Sequence, residues 1–183
     1  LRPEYDDEMI EKWIEGKTGF PFLDACIKFL KINGWINFRM RAMIMSFASY
    51  NLWQPWQKTS PLLAELFTDY EPGIHISQVQ MQSGVTGINL PRIYSVTKQS
   101  MDQDPNANWI KCLIPELSKH DPKEIHDANL KGFYLPKIVD LKASAKFARD
   151  QVWSIRKNKA FKDEAKLVYL KHGSRRKRNI KTN

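Results

Sequence analysis

The amino-acid sequence predicts an all-α protein, and three observations carry the prediction. Apolar residues recur at spacings of three and four through most of the chain, and alternating strand patterns are scarce. The punctuation is also helical: acids or Pro open segments, and Gly or Pro close them. A length of 183 residues with 42% hydrophobic side chains, including six Trp, six Tyr and nine Phe, is enough for one domain with a sizeable core.

Taken in order, residues 6–15 form a short helix opened by acids, and Lys17-Thr18-Gly19-Phe20-Pro21 is a loop that sets Pro21 in the first turn of the next helix. Phe22, Leu23, Cys26, Ile27 and Leu30 make one apolar stripe, which Gly34 ends. From Ile36 to about Trp53 the pattern is apolar nearly all the way round, as expected for a helix central to a bundle, and Pro55 closes it. A helix over 61–68 follows. Residues 69–106 read as a long irregular stretch, ordered by Ile74, Ile76, Val79, Met81, Ile93 and Tyr94. Short helices near 108–113 and 122–129 and one long, increasingly basic helix over 142–170 complete the chain. The domain boundary falls at 140, with a basic appendage over 141–183.

The formal charge of +9 is unevenly placed. Residues 1–155 carry 18 basic and 18 acidic side chains, and residues 156–183 carry 11 against 2. Phosphate binding by the body must therefore come from local clusters such as Lys28, Lys31, Arg39 and Arg41, while Arg175–Arg178 reads as a solvated end or a nucleic-acid arm. Cys26 and Cys112 lack CxxC spacing, which argues against a disulfide framework, zinc or an iron–sulfur cluster, and an intracellular, cytoplasmic setting fits. No stretch is long and apolar enough to span a membrane, so no membrane partner is expected.

Arg39 and Arg41 lie two residues apart at the start of the central helix, about 200° around its axis, and so face different ways. An arginine on an apolar helix needs an anionic partner, and Asp69 or Glu71 are the candidates. They form either a structural ion pair between helices or a ligand-facing turn, in which the acids accept from a heterocycle's N–H groups and His75 reaches its edge. With one histidine nearby, a metal site is not expected. There is no P-loop, GxGxxG fingerprint or nucleophile elbow.

The run Trp13-x-x-Gly16-Lys17-Thr18-Gly19-Phe20-Pro21-x-x-Asp24-Ala25, followed by Gly34-Trp35-x-x-x-Arg39-x-Arg41, Trp56, Asp69-x-Glu71, Arg92-Ile93-Tyr94 and Pro115-Glu116-Leu117, resembles the flavin domain of the photolyase/cryptochrome family over roughly residues 10–117. The resemblance implies a C-terminal helical FAD-binding domain whose reduced flavin splits UV-induced pyrimidine dimers by electron transfer. It also implies that Arg41 pairs with Asp69 beside the isoalloxazine, that Glu71 accepts from the ring, and that His75 stands near a position facing flavin N5. Trp35 and Phe38 then lie near the cofactor and lesion pocket. Lys17, Arg39, Arg92 and Met81 approach DNA, and Trp56 is the middle member of a tryptophan chain.

Several departures qualify the resemblance. Val79-Gln80-Met81 replaces the family's WQW, so Trp53, Tyr50 or Tyr94 must substitute in electron transfer. Asn37-Phe38 replaces a His-Asn pair. Two cysteines cannot hold the iron–sulfur cluster of one bacterial branch. The family's N-terminal antenna domain and FAD-phosphate loop have no counterpart in this chain, which is expected to be a fragment, a truncated product or half of a two-chain assembly. The alternatives are a cryptochrome-like light-sensing module without repair activity and a flavin-free helical remnant that binds nucleic acid or protein.

Overall fold

The computed structural model describes residues 2–86 and 92–172, and among them every regular element is helical. Helix α1 (Asp7–Ile14) is capped by Asp6, whose Oδ1 accepts from Met9 N at 3.1 Å. It buries Ile10 and Trp13, and Trp13 Nε1 donates to the Ile44 carbonyl at 3.2 Å, tying the first helix to the third. Helix α2 (Pro21–Asn33) starts on Pro21 and stops at Gly34, which takes the left-handed conformation at φ 66° and returns its N–H to the Leu30 carbonyl. Both ends agree with the sequence.

The central helix is α3 (Phe38–Ser46), capped by Asn37, and it runs directly into a π-helical turn, Phe47–Asn51. Every residue from Ala42 to Asn51 is buried. Leu23, Ile27 and Leu30 of α2 pack with Met43, Ile44 and Phe47 of this helix to make the main core.

Four expectations about the elements are corrected. Helix α4 spans Trp56–Ala64 rather than 61–68; Pro61 sits inside it on an exposed face, where the carbonyl that lost its partner meets water. The stretch 69–106 contains two helices, α5 (Pro72–Gln82) and α6 (Val96–Gln103). Glu71 and Ser95 cap them, accepting from Ile74 N at 2.7 Å and Lys98 N at 3.2 Å. Their apolar pattern is weak because each buries few side chains, so the caps rather than periodicity mark them. After α7 (Asn108–Leu113) and a 3-10 turn at Pro115–Leu117, α8 ends at His126, within Pro122–His126. The long terminal helix is two helices, α9 (Leu141–Lys157) and α10 (Lys159–His172), because Asn158 is extended and its Oδ1 caps Ala160 N at 2.9 Å.

Helix α9 docks on the π-helical turn. Ala148 and Val152 form a second small core with Tyr50, flanked by Trp53 and Ile93, and Asn51 Nδ2 donates to Ser144 Oγ at 2.9 Å. Arg2 is buried beside the same turn, with Nε donating to the Ser49 carbonyl and the guanidinium 4.4 Å from the Trp53 ring centre. Burial lowers its pKa to about 10.

Candidate functional site

The two arginines of α3 diverge as the helical angle requires. Arg41 turns into a cleft of about 340 Å³ between α3, α4 and α5. Its Nη2 donates to both Asp69 carboxylate oxygens, at 3.0 and 2.8 Å, while Nε donates to the Ile36 carbonyl at 2.7 Å. The guanidinium lies 4.1 Å from the Phe67 ring centre, so its plane, position and charge are all held. The hydrogen bond from Arg41 keeps the Asp69 carboxyl below the usual carboxylate range.

Helix α5 brings Glu71, His75 and Gln78 to the same cleft, at the i, i+4, i+7 spacing that shares one helix face. Glu71 uses Oε2 to cap its own helix, and Oε1 has no protein partner among the described residues. His75 Nε2 lies 3.1 Å from the Ser60 carbonyl oxygen and 3.0 Å from Ser60 Oγ. A carbonyl only accepts, so Nε2 carries the proton and Nδ1 of the neutral ring is an acceptor. Burial lowers the His75 pKa, which keeps the ring neutral at pH 7. Gln78 Oε1 is buried without a partner. This wall of the cleft therefore offers acceptors, and, Tyr70 and Gln82 apart, the remaining lining is apolar, including Trp35, Phe38, Met45, Leu63, Phe67 and Val79.

Arg39 opens instead on a second groove, about 610 Å³, where it meets Arg92, Lys98, Tyr94, Arg149 and Trp153. Ser46 Oγ donates to the Arg92 carbonyl at 3.3 Å and accepts from Tyr94 N at 3.1 Å, which pins the Arg92 strand of chain against α3. Lys17 stands apart, exposed on another surface beside Glu15, Lys28 and Phe133. Met81 is half-buried on α5 and lines neither the cleft nor the groove, Trp56 packs on the main core, and Trp53 belongs to the small second core. Ser60, Phe67 and Gln78 escaped the sequence reading. Gln78 was findable from its i+7 relation to Glu71 had 72–82 been read as helix, whereas no local signal links Ser60 to His75. Arg175–Arg178 lie outside the described residues. Among the described residues, no cluster of His, Cys, Asp and Glu is placed to hold a metal, and no helix is long and apolar enough to cross a membrane.

Residues 2–154 match the family model for the FAD-binding domain of DNA photolyase. The chain belongs to that family. It is 30% identical over 129 residues to the deoxyribodipyrimidine photo-lyase of Alkalihalophilus pseudofirmus, covering 69% of this chain and 27% of that protein. It is 29% identical over 123 residues to cryptochrome DASH of Gloeobacter violaceus, covering 67% and 25%. The structure of an archaeal photolyase from Sulfolobus tokodaii, solved with two FAD molecules, superposes with a TM-score of 0.76 at 28% identity over 83% of this chain and 36% of that one. The chain thus spans about a quarter to a third of the length of these proteins.

Within this photolyase-family domain the opening motif is structural. The buried Asp24 carboxylate accepts from Thr18 N at 2.9 Å, Thr18 Oγ1 at 2.6 Å, Gly19 N at 3.1 Å and Tyr134 Oη at 3.0 Å. Gly19, at φ 79°, lies so close to Pro136 that a Cβ would fall 2.4 Å from its carbonyl oxygen. The photolyase motif therefore ties the start of α2 to the segment before α9, and the cleft residues come from elsewhere.

Proposed function

We propose that this chain is the flavin-holding part of a light-dependent DNA photolyase, with the isoalloxazine of FAD in the cleft between α3 and α5. The observation that carries the reading is the cleft's polar balance. A flat heterocycle edged with N–H donors suits a wall of acceptors at Asp69, Glu71, His75 and Gln78, aromatic and aliphatic side chains suit its faces, and the volume falls in the ~300–1,000 Å³ range of small-molecule sites. Arg41 supplies one fixed positive charge for electron-rich ring atoms and holds Asp69 for the ring's donors. His75 holds its proton on Nε2 and so accepts at the cleft. Trp35 and Phe38, each about half exposed at 51% and 55%, cover the mouth.

Reduced FAD, when bound, supplies the electron that splits a UV-induced pyrimidine dimer. Arg39 and Arg92 are the residues we assign to DNA phosphates, with Lys17 and Met81 as more distant contacts, and UV-damaged DNA is the substrate of the whole protein. Trp56 and Trp53 are the residues we assign to moving an electron through the protein, since Val79 in the cleft wall has no ring to carry one. The likeness to cryptochrome DASH of Gloeobacter violaceus supports a second reading, a cryptochrome-like light-sensing module in which repair is absent.

The test is an absorption spectrum after incubation with FAD and gel filtration. Retained flavin in the wild-type chain, lost from folded Arg41→Ala and Asp69→Ala, is the expected result. A full-length protein that folds normally yet retains no flavin would overturn the flavin assignment. Repair of dimer-containing DNA by the full-length protein, or its absence, separates photolyase from cryptochrome.

A further inference from the structure

The cleft between α3 and α5 has a sign as well as a shape. Asp69 and Glu71 bring two carboxylates to it, Arg41 brings one guanidinium, and His75 is held neutral, which leaves negative charge in excess. Among the described residues no other Lys or Arg lines it. Arg41 is also committed, with Nη2 on both Asp69 oxygens and Nε on the Ile36 carbonyl.

The helix ends that border the cleft are closed to an anion too. A phosphate commonly sits on a helix N-terminus, where free backbone N–H groups point at it. At α5 the Glu71 carboxylate takes that place. Its Oε2 lies 2.7 Å from Ile74 N, and a Cβ on Gly73 would fall 3.1 Å from the same oxygen, so the acid is folded over the first turn. At α3, Asn37 Oδ1 accepts from Met40 N at 3.1 Å. The apolar faces, by contrast, are open: Trp35 and Phe38 are about half exposed at the mouth. At about 340 Å³ the cleft lies at the low end of the ~300–1,000 Å³ of small-molecule sites, which suits one ring system rather than a dinucleotide.

We infer that this cleft selects its ligand by charge, taking the uncharged flavin ring and disfavouring phosphate held close to that ring, with Glu71 as the residue that sets the preference. This rests on the flavin reading of the same cleft and adds the class of flavin it accepts. FAD is then gripped here by its ring alone, with its phosphates led away from Glu71. In flavin mononucleotide (FMN) the phosphate hangs on a short sugar-alcohol chain and cannot escape the field, whose reach is ~10 Å at 0.1 M salt. Glu71 is exposed, so water weakens the repulsion to a few-fold effect on affinity.

The experiment titrates the whole chain with riboflavin and with FMN by calorimetry, at 50 mM and at 500 mM salt. Riboflavin is expected to bind the tighter, by about threefold to tenfold at low salt, and the gap is expected to close at high salt as the charges are screened. Glu71→Gln keeps an oxygen for Ile74 N and removes the charge, so it should bring the two affinities together at low salt, with a melting curve to show that it folds. If that variant does not fold, the salt dependence of the wild-type ratio decides alone. FMN bound as tightly as riboflavin or more tightly at low salt would overturn the inference, as would a ratio unmoved by salt or in folded Glu71→Gln. A chain that binds neither compound overturns it as well. Failure of the flavin reading itself looks different, because the folded full-length protein would then hold no flavin.

Discussion

At the scale of single residues, the cleft depends on where protons sit. The Ser60 carbonyl fixes the His75 proton on Nε2, and burial lowers the ring's pKa, so folding disfavours the imidazolium. The sign follows: the unfolded chain binds the proton more readily, so this contribution to stability is present above the unfolded value near 6.5 and is lost as pH falls below it toward the depressed folded value. Urea midpoints at pH 7.5 and pH 5.5 are expected to differ more for the wild type than for His75→Gln, which has no proton to take up; equal differences would place the His75 titration elsewhere. Asp69 carries the opposite kind of shift. Its lowered pKa comes from the Arg41 hydrogen bond, and the charged arrangement persists until pH falls through that lowered value. Arg39 and Arg41 were legible as divergent from the angle of 100° per residue. The partners of His75 and Gln78 were not, because Ser60 lies on a different helix, 15 residues away in sequence from His75.

At the scale of elements, the turn before α2 shows how a short motif does long-range work. Asp24 gathers four donors, one of them from Tyr134, 110 residues along the chain. Asp24→Ala leaves those buried donors without an acceptor and is expected to cost about 3–5 kcal/mol. Thermal melting checks this, and a loss under ~1 kcal/mol would mean that water replaces the carboxylate. The motif was read as a family signature, and its chemistry became visible only when the distant Tyr134 was in place. Helices α5 and α6 were missed for the reverse reason. Glu71 and Ser95 are good caps, but the segments after them carry Gln, Ser and Thr and bury little, so their periodicity is faint. Asn158 similarly breaks a helix whose composition reads as continuous, because its side chain satisfies Ala160 N instead of letting the turn propagate.

At the scale of the whole molecule, α9 is the element that closes the body. The sequence places a boundary at 140, while the family match runs to residue 154 and the α9 side chains Ala148 and Val152 are buried against Tyr50. We propose that the body ends after α9 and that α10 is an appendage. A chain ending at 157 should melt within a few degrees of the full chain. One ending at 140 should lose several kcal/mol, since burial of a Val side chain alone is worth about 1.5–3 kcal/mol, and should expose the Tyr50 hydroxyl, whose pKa burial now raises to about 12. Calorimetry of the two truncations decides the boundary, and equal melting of both would return it to 140.

The sequence by itself determined the all-helical class, the central place of residues 36–53, the divergence of Arg39 from Arg41 and the family, because helical period, caps and motif spacing are local properties of the chain. Tertiary structure alone decided that Ser60 sets the proton on His75, that Asp24 is a structural knot, and that α9 faces Arg39 and Arg92 across one groove. Each of these joins side chains far apart in sequence, and such pairings are set by how helices pack over a shared core rather than by any pattern within one of them.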